Sequence, residues 1–283
     1  MFEILSKAML TPGICAMDVQ APRIASSAKP GQFLIVRHGS LGERIPLTIS
    51  DFDAEAGTVT IVTQAIGAST CAIVDMEVGD RFDDVVGPLG NPSDFISADP
   101  AALKGERYVF LAGGVGTAPV YPQAKWLHGH GIPVDVIIGA RNAGLMIYAD
   151  KMKEVCDHLY LCTDDGSLGF HGLVTGQLEA VAAERGYTHM VAIGPMIMMK
   201  FATLTARKLG LKATVSLNTL MVDGTGMCGA CRVNVGGKMR FACVDGPEFD
   251  GFEVDFDEAM RRQRQYPEQE KAALEAYKLH KNE

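Results

Sequence analysis

Tyr108-Val109-Phe110-Leu111-Ala112-Gly113-Gly114-Val115-Gly116-Thr117-Ala118-Pro119 runs from an apolar, strand-like segment through three glycines into a helical pattern. An apolar strand, a glycine turn and a helix in that order make up the first part of a strand–helix–strand unit. Glycines at such a turn let the backbone approach a phosphate closely. The N–H groups that open the helix favour an anion there. The pattern here is G-G-x-G-x-A-P and not G-x-G-x-x-G, so the ordinary dinucleotide fingerprint does not apply. Taken alone, the turn also reads as a tight bend with no ligand.

Outward from this turn the alternation continues. Apolar runs at 134–138, 159–162 and 190–193 alternate with amphipathic stretches at 176–184 and 197–209, the pattern of a parallel, doubly wound α/β sheet. Ligands of such sheets sit at the C-terminal strand ends. That rule marks Gly139-Ala140-Arg141, Thr163-Asp164-Asp165-Gly166-Ser167 and Gly194-Pro195-Met196 as candidate nucleotide contacts. Asp164 and Asp165 suit a free ribose hydroxyl and oppose a 2′-phosphate, whereas Arg141 argues the other way. The two aspartates read equally well as solvated loop residues.

Before the turn, segments 31–36 and 58–62 are short runs of Val, Ile and Phe broken by turn residues, which points to an antiparallel β-barrel. After it, a Gly- and Cys-rich stretch leads to a charged tail over 261–281, read as a solvated helix or a partner-docking element. The expected organisation is α+β and multidomain: a barrel over 1–98, an α/β domain over 99–215, a small cysteine module over 216–255 and a helical tail over 256–283.

Net charge is −8, and 47% of residues are hydrophobic. An acidic, core-forming chain argues against a nucleic-acid binder, which needs a basic face to neutralise phosphates. No window reaches the ~18 apolar residues of a membrane span. Met1-Phe2-Glu3-Ile4-Leu5 lacks the basic region of a signal peptide, so a cytoplasmic location is expected. The seven cysteines are odd in number and argue against a disulfide framework.

Three of those cysteines cluster. Asp223-Gly224-Thr225-Gly226-Met227-Cys228-Gly229-Ala230-Cys231, followed by Cys243, spaces four potential ligands as D-x4-C-x2-C-x11-C. Plant-type [2Fe–2S] loops use C-x4-C-x2-C and a distant fourth cysteine. Here Asp223 stands where the first cysteine belongs. The small residues between the ligands let the backbone wrap a sulfide-bridged cluster and aim N–H groups at its sulfurs. A zinc knuckle with one carboxylate ligand is the competing reading, in a non-catalytic partner module. In a blander one, Asp223 is a turn residue and the thiols are packing.

A barrel, a nucleotide domain and an iron–sulfur loop in that order resemble the ferredoxin–NADP reductase superfamily. Within it, the chain is similar to the small subunits of NADH-dependent ferredoxin:NADP oxidoreductase (the Nfn type) and the sulfide dehydrogenase β subunit. It is more distantly similar to the electron-transfer subunit of dihydroorotate dehydrogenase. The segments carrying the resemblance are Glu43-Arg44-Ile45-Pro46-Leu47-Thr48-Ile49, residues 113–119, 192–201 and 221–251. The superfamily holds FAD with an R-x-Y-[ST] strand, and the resemblance lays Ile45-Pro46-Leu47-Thr48 on that register. It implies Leu47 against the isoalloxazine and Thr48 near N5, the nearest approach to a catalytic residue. Arg44 lies one position early for the pyrophosphate. The resemblance also carries Val62-Thr63-Gln64 and Gly67-Ala68-Ser69-Thr70 onto the adenosine-diphosphate part of FAD. It implies NAD(H), with NADP(H) as the other option, and a [2Fe–2S] cluster on Asp223, Cys228, Cys231 and Cys243. As partner it implies a larger, glutamate-synthase-like flavin and [4Fe–4S] subunit through which ferredoxin is reached indirectly. Cys162, at a strand end, reads as a packed thiol or as a wall of the nicotinamide pocket.

Overall fold

The computed structural model describes residues 2–39, 42–99 and 101–281. The first sheet is built from β1 (Ile4–Thr11), β2 (Ile14–Gln20), β3 (Phe33–Arg37), β4 (Ile45–Asp53), β5 (Thr58–Gln64) and β6 (Asp84–Leu89). A short helix α1 (Pro22–Ala25) and helix α2 (Ala68–Asp75) interrupt it. Its order is β1-β2-β5-β4-β3-β6, with every pair antiparallel. The amide of Ile4 donates to Asp80 O and that of Gly79 to Ile4 O, each at 2.9 Å, so the β1 edge meets the segment entering β6 and the sheet curls into a barrel. Ile4, Met17, Val19, Leu34, Ile49 and Ile61 fill the inside.

The second sheet takes β7 (Tyr108–Gly113), β8 (Val134–Ala140), β9 (His158–Thr163), β10 (Phe170–His171), β11 (His189–Ile193) and β12 (Lys212–Ser216). Helices α3 (Thr117–Gly129), α4 (Ala149–Lys153), α5 (Val174–Arg185) and α6 (Met196–Leu209) lie between strands. β7 is central, which explains its unbroken apolar run. Phe110 and Ala112 pack into the core on one face, and Val109 and Leu111 into the core on the other. A strand covered on both sides needs apolar residues at every position. α5 starts at Val174, earlier than the amphipathic pattern suggests, and ends where Gly186 turns left-handed with φ 62°.

The cysteine-rich stretch forms a hairpin of β13 (Arg232–Val235) and β14 (Lys238–Phe241), the short helix α7 (Ala242–Asp245) and β15 (Glu248–Asp250). β15 adds antiparallel to β12, giving the order β10-β9-β8-β7-β11-β12-β15. The chain then runs through α8 (Phe256–Gln263) to α9 (Pro267–Lys281). α9 buries no residue, yet Tyr277 Oη donates to Asp75 Oδ2 at 2.6 Å and Lys281 pairs with the same carboxylate, so the tail returns to α2 of the barrel. Among the described residues no helix is long and apolar enough to cross a membrane.

Glu248 joins the three parts. Its Oε1 accepts from Ser93 Oγ and from Gln123 Nε2, each at 2.9 Å. The residue as a whole keeps some exposure, but Ser93 and Gln123 are 0% and 1% exposed, and they enclose the carboxylate. Burial pushes its pKa up to about 7 from 4.5. Between those values the folded chain holds a proton that the unfolded chain has released. Stability therefore falls as pH rises through this window, by up to about 3 kcal/mol, and stays lower above it. Glu248→Gln keeps the acceptor and removes the charge. It is expected to raise Tm at pH 8 and leave it nearly unchanged at pH 5; an equal shift at both pH values would refute the titration.

Candidate functional site

Barrel and α/β sheet meet along a cleft of about 1260 Å³. That exceeds the ~300–1,000 Å³ of a pocket for one small molecule. Pro46, Leu47 and Thr48 of β4 line the barrel side with Val62, Gln64 and Ile66. Opposite them stand the strand-end turns after β7, β8, β9 and β11, contributing Gly113, Gly114, Gly116, Ala118, Pro119, Arg141, Asp164, Gly194, Pro195 and Met196. A third wall, Ser216 to Thr219 with Met221, Met260, Gln263 and Arg264, comes from the cysteine stretch and the helix after it. The turn after β7 is tight: a Cβ on Gly116 would stand 2.3 Å from Ile193 O.

Other residues singled out in the sequence face elsewhere. Thr63 points into the barrel, 1% exposed, because β5 alternates and its neighbours Val62 and Gln64 take the cleft side. Ile45 packs against the barrel core. Thr117 is fully buried and its hydroxyl donates to Gly114 O at 2.8 Å, pinning the turn from inside. Gly67 opens α2, and Thr70 Oγ1 accepts the amides of Ile66 and Gly67 at 3.0 and 2.9 Å. The Ser69 hydroxyl donates to Glu43. Asp165 is exposed and takes the Ser167 amide and hydroxyl at 2.9 and 2.6 Å, which lowers its pKa. Cys162 is 0% exposed and its thiol donates to Ile138 O at 3.4 Å. Burial pushes that thiol up to about 12. It is a packed core cysteine.

Arg44 is not at the cleft. Its Nε donates to Val222 O at 2.8 Å and its guanidinium reaches Asp223 O at 3.4 Å. Arg44 lies just ahead of β4, which starts at Ile45, so the strand that presents Pro46 and Thr48 to the cleft does not position it. Arg44 fastens the cysteine loop to the barrel and is not among the residues that line the cleft.

In that loop Cys231 and Cys243 are each 2% exposed with their sulfurs 3.2 Å apart, and Cys228 lies on the exposed rim. Asp223 Oδ2 accepts the Thr225 amide at 2.9 Å and the Met227 amide at 3.4 Å, along with the Thr225 hydroxyl. Among the described residues no three His, Cys, Asp or Glu side chains gather in ion-holding geometry. The donor chemistry nevertheless fits a thiolate-held cluster. The Ala230 amide lowers the pKa of the Cys228 thiol, whereas burial pushes that of Cys243 up to about 12. Gly224 has φ +86°, and a Cβ there would collide with Ile35 Cδ1 and Leu89 Cδ1 at 2.7 and 2.8 Å. The loop thus lies flat on β3 and β6. Phe33 and Met221, which are not among the candidate site residues read from the sequence, both line the cleft and pack with Cys231 and Cys243. They reach the site from opposite ends of the chain, so no spacing reveals them.

Residues 218–255 match the iron–sulfur cluster binding domain of dihydroorotate dehydrogenase B. A Thermotoga maritima protein named as a homologue of the dihydroorotate dehydrogenase B (NAD(+)) electron-transfer subunit is 45% identical over 97% of this chain and 95% of its own length. A chain from the structure of NADH-dependent reduced ferredoxin–NADP oxidoreductase, described for flavin-based electron bifurcation, superposes with a TM-score of 0.91. It is 43% identical and covers 98% of both chains. A ferredoxin–NADP+ reductase from Neisseria gonorrhoeae shares the fold, with a TM-score of 0.57 at 17% identity over 74% of this chain and 90% of its own. With a barrel, a doubly wound sheet and a cysteine loop in one order along one chain, this protein belongs to the family of dihydroorotate dehydrogenase B electron-transfer subunits and their homologues, as an NAD(P)H-linked flavin and iron–sulfur oxidoreductase subunit of ferredoxin–NADP reductase fold.

Proposed function

We propose that this chain takes reducing equivalents from NAD(H) at a bound FAD and passes them singly to a [2Fe–2S] cluster, within a complex that links nicotinamides to ferredoxin. One observation carries the reading: Phe33 and Met221 belong at once to the cleft wall and to the core around Cys231 and Cys243. One layer of side chains therefore separates a dinucleotide-sized cleft from the paired thiols. FAD, when bound, supplies hydride acceptance at N5 and release of electrons one at a time. The protein's task is to bind, orient and exclude water. Leu47 offers an apolar surface to the flavin and Thr48 a hydroxyl near N5. Gly113 to Pro119 and Gly194 to Met196 hold the nicotinamide dinucleotide, with Asp164 set for a ribose hydroxyl. Asp223, Cys228, Cys231 and Cys243 are the cluster ligands. In this reading the working division of the chain is 1–98, 99–215, 216–255 and 256–283.

The partner in this reading is a larger, glutamate-synthase-like flavin and [4Fe–4S] subunit, and the overall reaction is electron-bifurcating transhydrogenation. The 43% identity across 98% of the oxidoreductase chain supports this assignment, and the 45% identity to the homologue of the dihydroorotate dehydrogenase B electron-transfer subunit supports a dihydroorotate-oxidising complex as the second reading. Anaerobically purified protein is expected to hold one FAD with two irons and two acid-labile sulfides, and to reduce a dye faster with NADH than with NADPH. Zinc in place of iron would overturn the cluster assignment, and a preference for NADPH the choice of nicotinamide.

A further inference from the structure

Among the described side chains that line the cleft, Arg141 and Arg264 alone carry positive charge, against the single carboxylate of Asp164. Arg141 follows β8. Arg264 follows α8, and the adjacent Gln263 donates through Nε2 to Asn218 O at 2.7 Å, just past the end of β12. β7 and β11 lie between β8 and β12, so the strand ends nearest the two arginines are roughly 14 Å apart. They therefore serve different stretches of the cleft. The Arg264 guanidinium has no hydrogen-bond or ion-pair partner among the described residues. The arm that carries it lies beyond residue 255, where the match to the iron–sulfur cluster binding domain ends. It is held at its far end by Tyr277 and Lys281 on Asp75. An unpartnered cation facing a cleft, on an arm tied at its far end, is arranged to meet an anion.

We propose that Arg264 binds the pyrophosphate of a dinucleotide in the cleft, so that the C-terminal arm acts as a cofactor clasp. This rests on the functional reading above. A guanidinium matches two phosphate oxygens with paired N–H donors. FAD and the nicotinamide dinucleotide both carry this group, and binding measurements tell them apart. In the full-length chain, Arg264→Gln is expected to weaken one dinucleotide by about tenfold to a hundredfold. Its binding should also lose part of its salt dependence, while Arg264→Lys recovers part of the affinity. FAD affinity is read by flavin fluorescence, and NAD+ affinity by calorimetry on the FAD-loaded chain. A loss confined to FAD assigns the flavin pyrophosphate, and a loss confined to NAD+ assigns that of the nicotinamide dinucleotide. Wild-type affinity and salt dependence for both in Arg264→Gln would overturn the clasp and leave the functional reading standing. A wild-type chain that binds neither would overturn both.

Discussion

Cys243→Ala is expected to strip the protein of iron and acid-labile sulfide while its flavin absorption remains. The thiol sits 2% exposed against Cys231, in a pocket floored by Phe33 and Ile35. Four ligands hold a cluster of this type, and loss of one buried thiolate leaves an iron open to water. Packing alone predicts a different result, a modest loss of stability from a small cavity. Cys228 separates the two explanations. It is exposed on the rim, so its replacement by alanine removes almost no packing. If the thiols are ligands, Cys228→Ala and Cys243→Ala lose iron and the stability it lends alike, and only the second loses packing stability in addition. Iron and sulfide analysis beside a thermal melt reads this directly. Full iron content in Cys228→Ala would remove Cys228 from the ligand set.

Gly116→Ala is expected to destabilise the chain by about 3 kcal/mol and to empty the cleft of its dinucleotide. The backbone at Gly116 has φ −59° and ψ −9°, a conformation any residue adopts. By unfolded-state entropy alone, alanine there would stabilise by about 0.4–1 kcal/mol. The collision decides the sign. The new Cβ would stand 2.3 Å from Ile193 O, 2.7 Å from Ile193 C and 2.9 Å from Gly194 Cα. All three are backbone atoms of a central strand and its turn, which cannot swing aside as a side chain can. Separating them would move the ends of β7 and β11 apart, where the nucleotide turns meet. Gly129→Ala provides the control. Gly129 ends the same helix, and an added Cβ there meets nothing within 4 Å. It is expected to gain up to about 1 kcal/mol. Denaturant titration of the two variants checks both signs. A Gly116→Ala chain as stable as Gly129→Ala would overturn the close-packing argument.

The strands of the α/β sheet were legible because burial on both faces forces continuous apolar runs, as in Tyr108 to Ala112. The barrel strands were legible through their period of two and their turn residues. The D-x4-C-x2-C-x11-C loop announced itself by spacing, since ligands that wrap one small cluster must lie close together in the chain. Arg44 was not readable in this way. Its charge suited a pyrophosphate, but from just ahead of β4 the side chain reaches the carbonyls of Val222 and Asp223. Thr63 is a polar residue on the inward face of β5, where it follows Val59 and Ile61 by alternation.

Local pattern and composition were enough to specify the elements, their order, the cysteine spacing and the glycine turns, because each depends on neighbours a few positions away. Tertiary contact alone decided that β15 would complete the sheet, that Phe33 and Met221 would form a shared wall, and that Arg264 would reach the cleft. These arrangements join residues far apart in the chain, through packing and hydrogen bonds that no periodicity records. Glu248 makes the point in one side chain. It reads as an ordinary acidic residue until Ser93 and Gln123 close around it, and only then does burial raise its pKa to about 7.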